Sequence, residues 1–394
     1  MRVLYCTDTY PPQVNGVSIV TALSASGLAK LGWECAVVAP RYPAGGQPGW
    51  DENGGSGGAH ETLLSLPSIA LPGYSEVRLA LPNPAPVHRL VQRFKPDLVH
   101  CATEFSVGRM GQLAATWGRV PMVSSYHTDF ARYAEAYGKA WLRDTVSAYL
   151  TRFHCRSRRV YTPSSVTREE LLRLGLPEIE VWGRGVNADR FHPARRSHQL
   201  RVTLGLDDRF TFLYVGRLAP EKRAEQIVDA FRIACEMLPS DSIRLVMAGT
   251  GPREAQIRSL DVPGVSVLGF IERKTELPKL YASADAFVFA SVTETLGLVV
   301  LEAMASGLPV IAAPAGGVRD HLCDGVNGLA YPAGSAYAMA QSMFQVATNA
   351  ELARRLANGA RATAEDLTWE KEIARLDLSY REICEVPSAA RAVA

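Results

Sequence analysis

Short apolar runs alternate with longer amphipathic stretches along nearly the whole chain. The runs fall at residues 3–6, 35–39, 98–101, 121–126 and 160–162, then at 212–215, 244–248, 265–268, 286–289 and 310–312. Each is rich in β-branched or aromatic residues and bounded by Gly, Pro or Asp, which predicts strands. Stretches such as residues 18–31 and 367–384 carry helical spacing, the latter through Trp369, Ile373, Leu376 and Tyr380. Strand-then-helix alternation of this kind predicts an α/β protein with parallel sheets covered on both faces.

The pattern runs twice. Between the two series, residues 182–199 read WGRGVNADRFHPARRSHQ, a polar, turn-rich stretch that suits a domain boundary. The expectation is two doubly wound Rossmann-like domains, residues 1–185 and 186–366, facing across a cleft and followed by a terminal segment, 367–394. In such folds ligands bind outside the carboxyl ends of the strands. Residues 44–58, AGGQPGWDENGGSGG, lack the apolar residues to pack a core and read as a loop.

Composition agrees with this picture and narrows it. A chain of 394 residues suits two domains, and 47% hydrophobic with 21% charged residues excludes a disordered or collagen-like protein. The formal net charge of +2 implies no nucleic-acid partner. Charge is nevertheless uneven: residues 130–160 hold seven basic side chains (Arg132, Lys139, Arg143, Arg152, Arg156, Arg158, Arg159) against Glu135 and Asp144. In helical projection Arg152, Arg156 and Arg159 share a face, so residues 139–160 read either as an amphipathic helix for an anionic membrane surface or as an ordinary solvated face.

The seven cysteines are scattered singly, without C-x-x-C, and read as buried free thiols in a reducing compartment. The N-terminus shows no signal-peptide pattern, and the apolar stretch 296–317 is broken by Glu302, Ser306, Pro309 and Pro314. A cytoplasmic protein is expected, peripheral on the inner face of the membrane if 139–160 binds lipid.

The sharpest chemical signal is ETLGLVVLEAMASG, residues 294–307, with Glu294 in a loop after a strand and Glu302 inside an apolar helix. Gly307 and Pro309 suit the end of that helix. A carboxylate among Leu, Val, Ala and Met needs a polar partner, and a pair of ligand hydroxyls would serve. So would a salt bridge inside a core helix. Thr295, Leu296, Gly297 and Leu298 open the helix, where backbone amides suit a phosphate.

The second signal is YVGRLAPEK, residues 214–222, in which Arg217 and Lys222 flank a strand-to-helix turn. Two cations there suit a diphosphate clamp or a solvated helix start. Gly249 with Gly251, and Gly316 with Gly317, mark two more such turns. In the first half, Asp8, Asn15 and Gly16 follow the first strand, and His127 with Asp129 follows the strand at 121–126.

No Asp-x-Asp pair of the kind that holds a metal on a sugar nucleotide occurs, so no metal and no cofactor are expected. Protein cations and helix N-termini would stabilise a departing diphosphate instead. A P-loop and a G-x-G-x-x-G turn are also missing, which disfavours ATP hydrolysis of that type and nicotinamide chemistry.

Together the ETLGLVVLEAMASGLPV run, the VGRLAPEK turn, the PPQVNGV loop and the SYHTD segment resemble glycosyltransferase family 4, retaining enzymes of the GT-B fold. The NVNGV-like loop, Tyr133, Tyr137-Gly138 and Trp182–Val186 are similar to GDP-mannose-dependent α-mannosyltransferases acting on glycolipids. SYHT and the TETLGLVVLEAM run are similar to sulfolipid synthases that use UDP-sulfoquinovose. The resemblance implies that Arg217 and Lys222 hold the donor diphosphate, with Gly16 and Gly249 close by. It implies that Glu294 meets the donor sugar or its phosphate, Glu302 the ribose, and His127 the transferred sugar. Asp8, Asn15, Asp129 and Tyr133 would lie on the acceptor side, and the helix of Trp369 would brace the first domain.

The implied activity is retaining transfer of a sugar, with GDP-mannose favoured, to a lipid or glycan acceptor. A UDP-sugar-dependent synthase of sulfoquinovosyl- or glucosyl-diacylglycerol is the alternative. A sugar-nucleotide epimerase shares the architecture but not the paired-glutamate helix. A non-catalytic sugar-nucleotide sensor would be expected to lose polar positions that are all present here.

Overall fold

The computed structural model describes residues 1–13, 15–43, 61–71, 74–127, 141, 143–176, 178–183 and 185–385. The glycine-rich stretch 44–58, Asp129 and Tyr133 lie outside the described residues. The chain divides into two compact units. One is Met1–Asp129 with Asp144–Gly183 and Trp369–Ala394; the other is Phe130–Arg143 with Arg184–Thr368.

The first unit holds strands β1 (Arg2–Cys6), β2 (Glu34–Pro40), β3 (Glu61–Leu66), β4 (Ser68–Leu71), β5 (Tyr74–Ala80), β6 (Leu98–Cys101), β7 (Met122–Ser125), β8 (Val160–Thr162) and β9 (Ile179–Val181). Its helices are α1 (Gly16–Lys30), α2 (Ala85–Phe94), α3 (Ser106–Gly118), α4 (Arg143–His154), whose first residue belongs to the second unit, and α5 (Ser165–Arg173). Among the described residues the strands form a seven-stranded sheet in the order β3-β2-β1-β6-β7-β8-β9, every pairing parallel, plus the antiparallel pair β4-β5. Central strands are buried on both faces, so Val3, Leu4, Tyr5 and Cys6 read as a continuous apolar run rather than an alternating one.

The second unit holds helices α6 (His198–Thr203), α7 (Ala224–Met237), α8 (Glu254–Ser259), α9 (Glu276–Ser283), α10 (Leu298–Ala305), α11 (Ala336–Thr348) and α12 (Ala350–Asp366). Its strands are β10 (Phe210–Val215), β11 (Ile243–Ala248), β12 (Val265–Gly269), β13 (Ala286–Phe289), β14 (Val310–Ala312) and β15 (Gly328–Ala330). They form a parallel sheet in the order β12-β11-β10-β13-β14-β15. In each unit the order runs outward from the first strand in one direction and then in the other. The crevices between β1 and β6, and between β10 and β13, are therefore the topological switch points where such sheets take ligands.

The last helix, α13 (Trp369–Glu385), belongs to the first unit. It fits there because Gly27 of α1 has no side chain: a Cβ at that position would meet Ile373 at 2.7 Å. The indole Nε1 of Trp33 donates to Asp377 at 2.6 Å, and that of Trp182 donates to the Glu372 carbonyl at 2.8 Å. Leu376 and Tyr380 are fully buried, and truncating such a leucine to alanine costs about 2–5 kcal/mol. No helix among the described residues is long and apolar enough to cross a membrane.

Candidate functional site

The second sheet supplies the most concentrated chemistry, at the carboxyl ends of β10, β11, β13 and β14. The loops there are packed backbone against backbone. A Cβ on Gly249 (φ +138°) would lie 1.9 Å from the Gly216 carbonyl oxygen, and one on Gly316 (φ +54°) 2.1 Å from that of Glu294. Only glycine permits this closeness and these dihedrals. Hydrogen bonds fix the arrangement: Leu218 N–H donates to the Thr250 carbonyl at 2.9 Å and Gly317 N–H to that of Glu294 at 2.7 Å. The Ser291 hydroxyl donates to the Glu221 carbonyl at 3.3 Å, joining the β10 and β13 loops.

On this frame Lys222, at the end of the 3-10 turn Pro220–Lys222, forms an ion pair with the Glu294 Oε2. Both side chains are partly buried, at 14% and 21% exposure, where Coulomb attraction outweighs that of an open surface pair. Arg217 is exposed, but its backbone is held by Tyr214, whose hydroxyl donates to the Arg217 carbonyl at 3.0 Å. Burial pushes the Tyr214 phenol up, so it stays a neutral donor. Gly297 precedes α10, so Thr295, Leu296, Gly297 and Leu298 are the residues at that helix's N-terminal end.

Glu302 sits one turn into α10 with its side chain 2% exposed. It pairs with the Arg273 guanidinium through Oε1, and accepts from the Tyr281 hydroxyl through Oε2 at 3.2 Å. Arg273 also lies over the Phe191 ring, 5.7 Å from its centroid, and Phe191 meets Tyr281 edge-on at 5.6 Å. Arg273, Tyr281 and Phe191 were outside the sequence expectation. The Arg and Tyr stand 29 and 21 residues from Glu302, with no local motif to flag them.

In the first unit the switch point between β1 and β6 is occupied by structural polar groups. Asp8 was expected on the acceptor side. Its Oδ1 accepts from the Ser106 hydroxyl at 2.9 Å and the Val107 N–H at 2.8 Å, and its Oδ2 from the Thr103 hydroxyl at 2.6 Å. That is the work of a carboxylate stabilising the start of α3. Asn15 caps α1: its Oδ1 accepts from the Ser18 N–H at 2.9 Å while its amide donates to Thr9 at 2.7 Å. Gly16 opens α1 and is exposed.

His127 follows β7 and is partly buried. Burial, with His154 adding to it, lowers its imidazole to about 4, so it is neutral at physiological pH. Behind it, His154 Nε2 faces the Glu104 Oε1 at 3.3 Å and its Nδ1 meets the Ser124 hydroxyl at 2.8 Å. Burial raises the Glu104 carboxyl, an effect opposed by His154. Neither residue carried a signal in the sequence.

Two expectations are corrected. The arginine face over 139–160 does not form, because α4 ends at His154 and leaves Arg156 and Arg159 beyond it. Arg159 is met by Glu382 at 3.0 Å, Glu180 at 3.3 Å and Glu178 at 3.8 Å, and Arg158 donates to the Ile383 carbonyl at 2.9 Å. Those charges stabilise packing rather than face solvent as a stripe. All seven cysteines are free, but Cys155 and Cys323 are exposed, so the expectation of buried thiols fails for them.

The chain matches the family described as glycosyl transferases group 1 over residues 197–363, and Glycosyltransferase Family 4 over residues 14–190. It is 34% identical to the GDP-mannose-dependent alpha-mannosyltransferase of Mycobacterium tuberculosis over 85% of this chain and 84% of that one. The protein belongs to glycosyltransferase family 4. This family-4 glycosyltransferase is a hexosyltransferase. It is also 33% identical to the sulfoquinovosyl transferase SQD2 of Arabidopsis thaliana, over 66% of this chain and 50% of that one. Its fold is that of Anabaena HepE, solved in complex with UDP, with a TM-score of 0.76, 18% identity, and coverage of 97% of this chain and 100% of that one. The two Rossmann-like domains of this glycosyltransferase are thus those of the GT-B class.

Proposed function

We propose that this hexosyltransferase transfers mannose from GDP-mannose to a lipid or glycan acceptor, with retention at the anomeric carbon. The observation that carries the reading is the Lys222–Glu294 pair at the switch point of the second sheet, beside Arg217 and the N-terminal end of α10. The ammonium of Lys222 is a compact charge with N–H donors and no acceptor, the chemistry that suits diphosphate oxygens. Arg217 and the amides of Thr295, Leu296, Gly297 and Leu298 complete a cationic, amide-rich cradle next to Gly249. Glu294 then accepts from a hydroxyl of the donor sugar and Glu302 from the ribose, while the roles of His127 and Gly16, in the first unit, rest on the family resemblance alone.

In the reaction the bond between the anomeric carbon and the phosphate oxygen breaks. The acceptor oxygen bonds that carbon on the same face and passes its proton to the departing phosphate oxygen. Lys222 and Arg217 offset the charge that develops there. The identity to a GDP-mannose-dependent relative, 34% over 85% of this chain, supports mannose.

Identity of 28% to the alpha-monoglucosyldiacylglycerol synthase of Streptococcus pneumoniae, and 33% to SQD2, favours a second reading with a UDP-sugar and a diacylglycerol acceptor. A lipid acceptor fits a cytoplasmic enzyme peripheral to an anionic membrane. Exposed Tyr149 and Arg152 are the groups on α4 that would meet it. A thermal-shift panel of GDP, UDP and ADP with their sugar conjugates tests the donor, since a ligand at 100 times its Kd adds about 2.7 kcal/mol. GDP and GDP-mannose are expected to raise Tm most. A larger shift with UDP conjugates overturns the mannose reading, and equal flotation with neutral and acidic liposomes overturns the membrane reading.

A further inference from the structure

Glu302 is a buried carboxylate whose two oxygens already have partners: Arg273 on Oε1 and the Tyr281 hydroxyl on Oε2. A carboxylate offers about four lone-pair positions, so one remains on each oxygen, the number a ribose diol needs. Arg273 comes from the loop between β12 and α9, Tyr281 from α9 and Glu302 from α10. The Phe191 ring backs both partners, and Phe191 is itself held by Arg361, whose Nη1 donates to the Phe191 carbonyl at 3.0 Å. Three separate segments therefore converge on the direction of one carboxylate.

We propose that Arg273 is a positioning residue for nucleotide binding: through its pairing with Glu302 it fixes the acceptor that reads the two ribose hydroxyls. This rests on the ribose role given to Glu302 above. The physical reason is that a buried acid gains binding strength from being oriented before the ligand arrives, and an Arg-to-carboxylate bond is directional where a lone charge is not. Tyr281 holds the second oxygen, but as a neutral donor on its own it leaves the charge of Glu302 uncompensated. The side chain of Arg273, at 16% exposure, is the more accessible of the two ion-pair partners.

The test is calorimetry on the full chain with GDP and 2′,3′-dideoxy-GDP, and with UDP and 2′,3′-dideoxy-UDP, for wild type, Glu302→Gln, Arg273→Gln and Arg273→Lys. Melting curves of each variant check that it is folded. Wild type is expected to prefer the ribose form by about 10- to 100-fold, the range for hydrogen bonds to a charged group. Arg273→Gln should reduce that preference to within about threefold while still binding the dideoxy form as wild type does, and Arg273→Lys should restore part of it. A purely structural role would weaken both forms alike. If Glu302→Gln abolishes the preference but Arg273→Gln keeps it, or binds the ribose form more tightly, the positioning role is wrong and the ribose role stands. If Glu302→Gln leaves the preference intact, the ribose role falls and takes this inference with it.

Discussion

Lys222 and Glu294 are 72 residues apart in the chain and joined by an ion pair at the carboxyl ends of neighbouring strands β10 and β13. The pair exists because those strands are adjacent only in a sheet whose order reverses at β10. Lys222→Ala removes a preorganised cation and is expected to lower kcat/KM about 100-fold or more with the preferred donor, the size seen on losing one such donor. Steady-state kinetics at saturating acceptor measures this. A variant within threefold of wild type removes Lys222 from the diphosphate.

The backbone beside that pair depends on Gly316. Alanine there would put a Cβ 2.1 Å from the Glu294 carbonyl oxygen, at a φ of +54° that favours glycine. Gly316→Ala is therefore expected to displace Glu294 and to destabilise the second unit, by about 1–3 kcal/mol for the backbone conformation with the steric clash added to it. Urea denaturation followed by fluorescence should show a lower midpoint together with reduced kcat/KM. A variant of unchanged midpoint and rate contradicts the packing argument.

His127 tests the charge state of the first unit. With its imidazole lowered to about 4 by burial and by His154, it gains a proton only in acid. The pH profile of kcat/KM is accordingly expected to lack a histidine step between about pH 5.5 and 8, where an unperturbed imidazole would titrate. His127→Gln, which keeps a hydrogen-bonding side chain, should retain more activity than His127→Phe. A step near pH 6.5 that disappears in His127→Gln would show the imidazole to be charged in the working enzyme.

Sequence patterns located the central strands because parallel strands buried on both faces are continuous β-branched runs. Residues 98–101, 160–162, 286–289 and 310–312 are strands β6, β8, β13 and β14 as expected. The edge strands β9 (IEV) and β15 (GLA) escaped notice because Glu180 interrupts the first and the second has no β-branched or aromatic residue, unlike the equally short β8 (VYT) and β14 (VIA). The β4-β5 pair was missed as well, although its exposed Ile69 and Leu79 stand opposite each other in an antiparallel register. At the candidate site, Lys222 and Glu294 were legible from motifs. Arg273 was not, since only the packing of the loop after β12 against α10 gives it a partner. The partners of Asp8 and the place of Arg159 were hidden for the same reason. Their partners lie 95 to 99 residues away in one case and in β9 and α13 in the other.

His100 carries the clearest consequence for stability. It is 1% exposed on β6, where its Nδ1 bonds the Tyr380 hydroxyl of α13 and its Nε2 the Ser125 hydroxyl at 2.7 Å. Burial, with His127 adding to it, lowers the His100 imidazole to about 3, against about 6.5 when unfolded. Between those values the unfolded chain binds the proton and the folded chain does not, so folding stability from this group is complete above about pH 6.5. It is lost as pH falls through that window, at up to about 1.4 kcal/mol per pH unit. His100→Gln removes the titration while keeping a polar side chain in the network. Urea melts at pH 7 and pH 5 should show wild type losing about 2 kcal/mol more than His100→Gln over that interval. Equal losses in the two proteins would mean that the buried imidazole accepts its proton in the folded state, and that Tyr380 and Ser125 accommodate the charge.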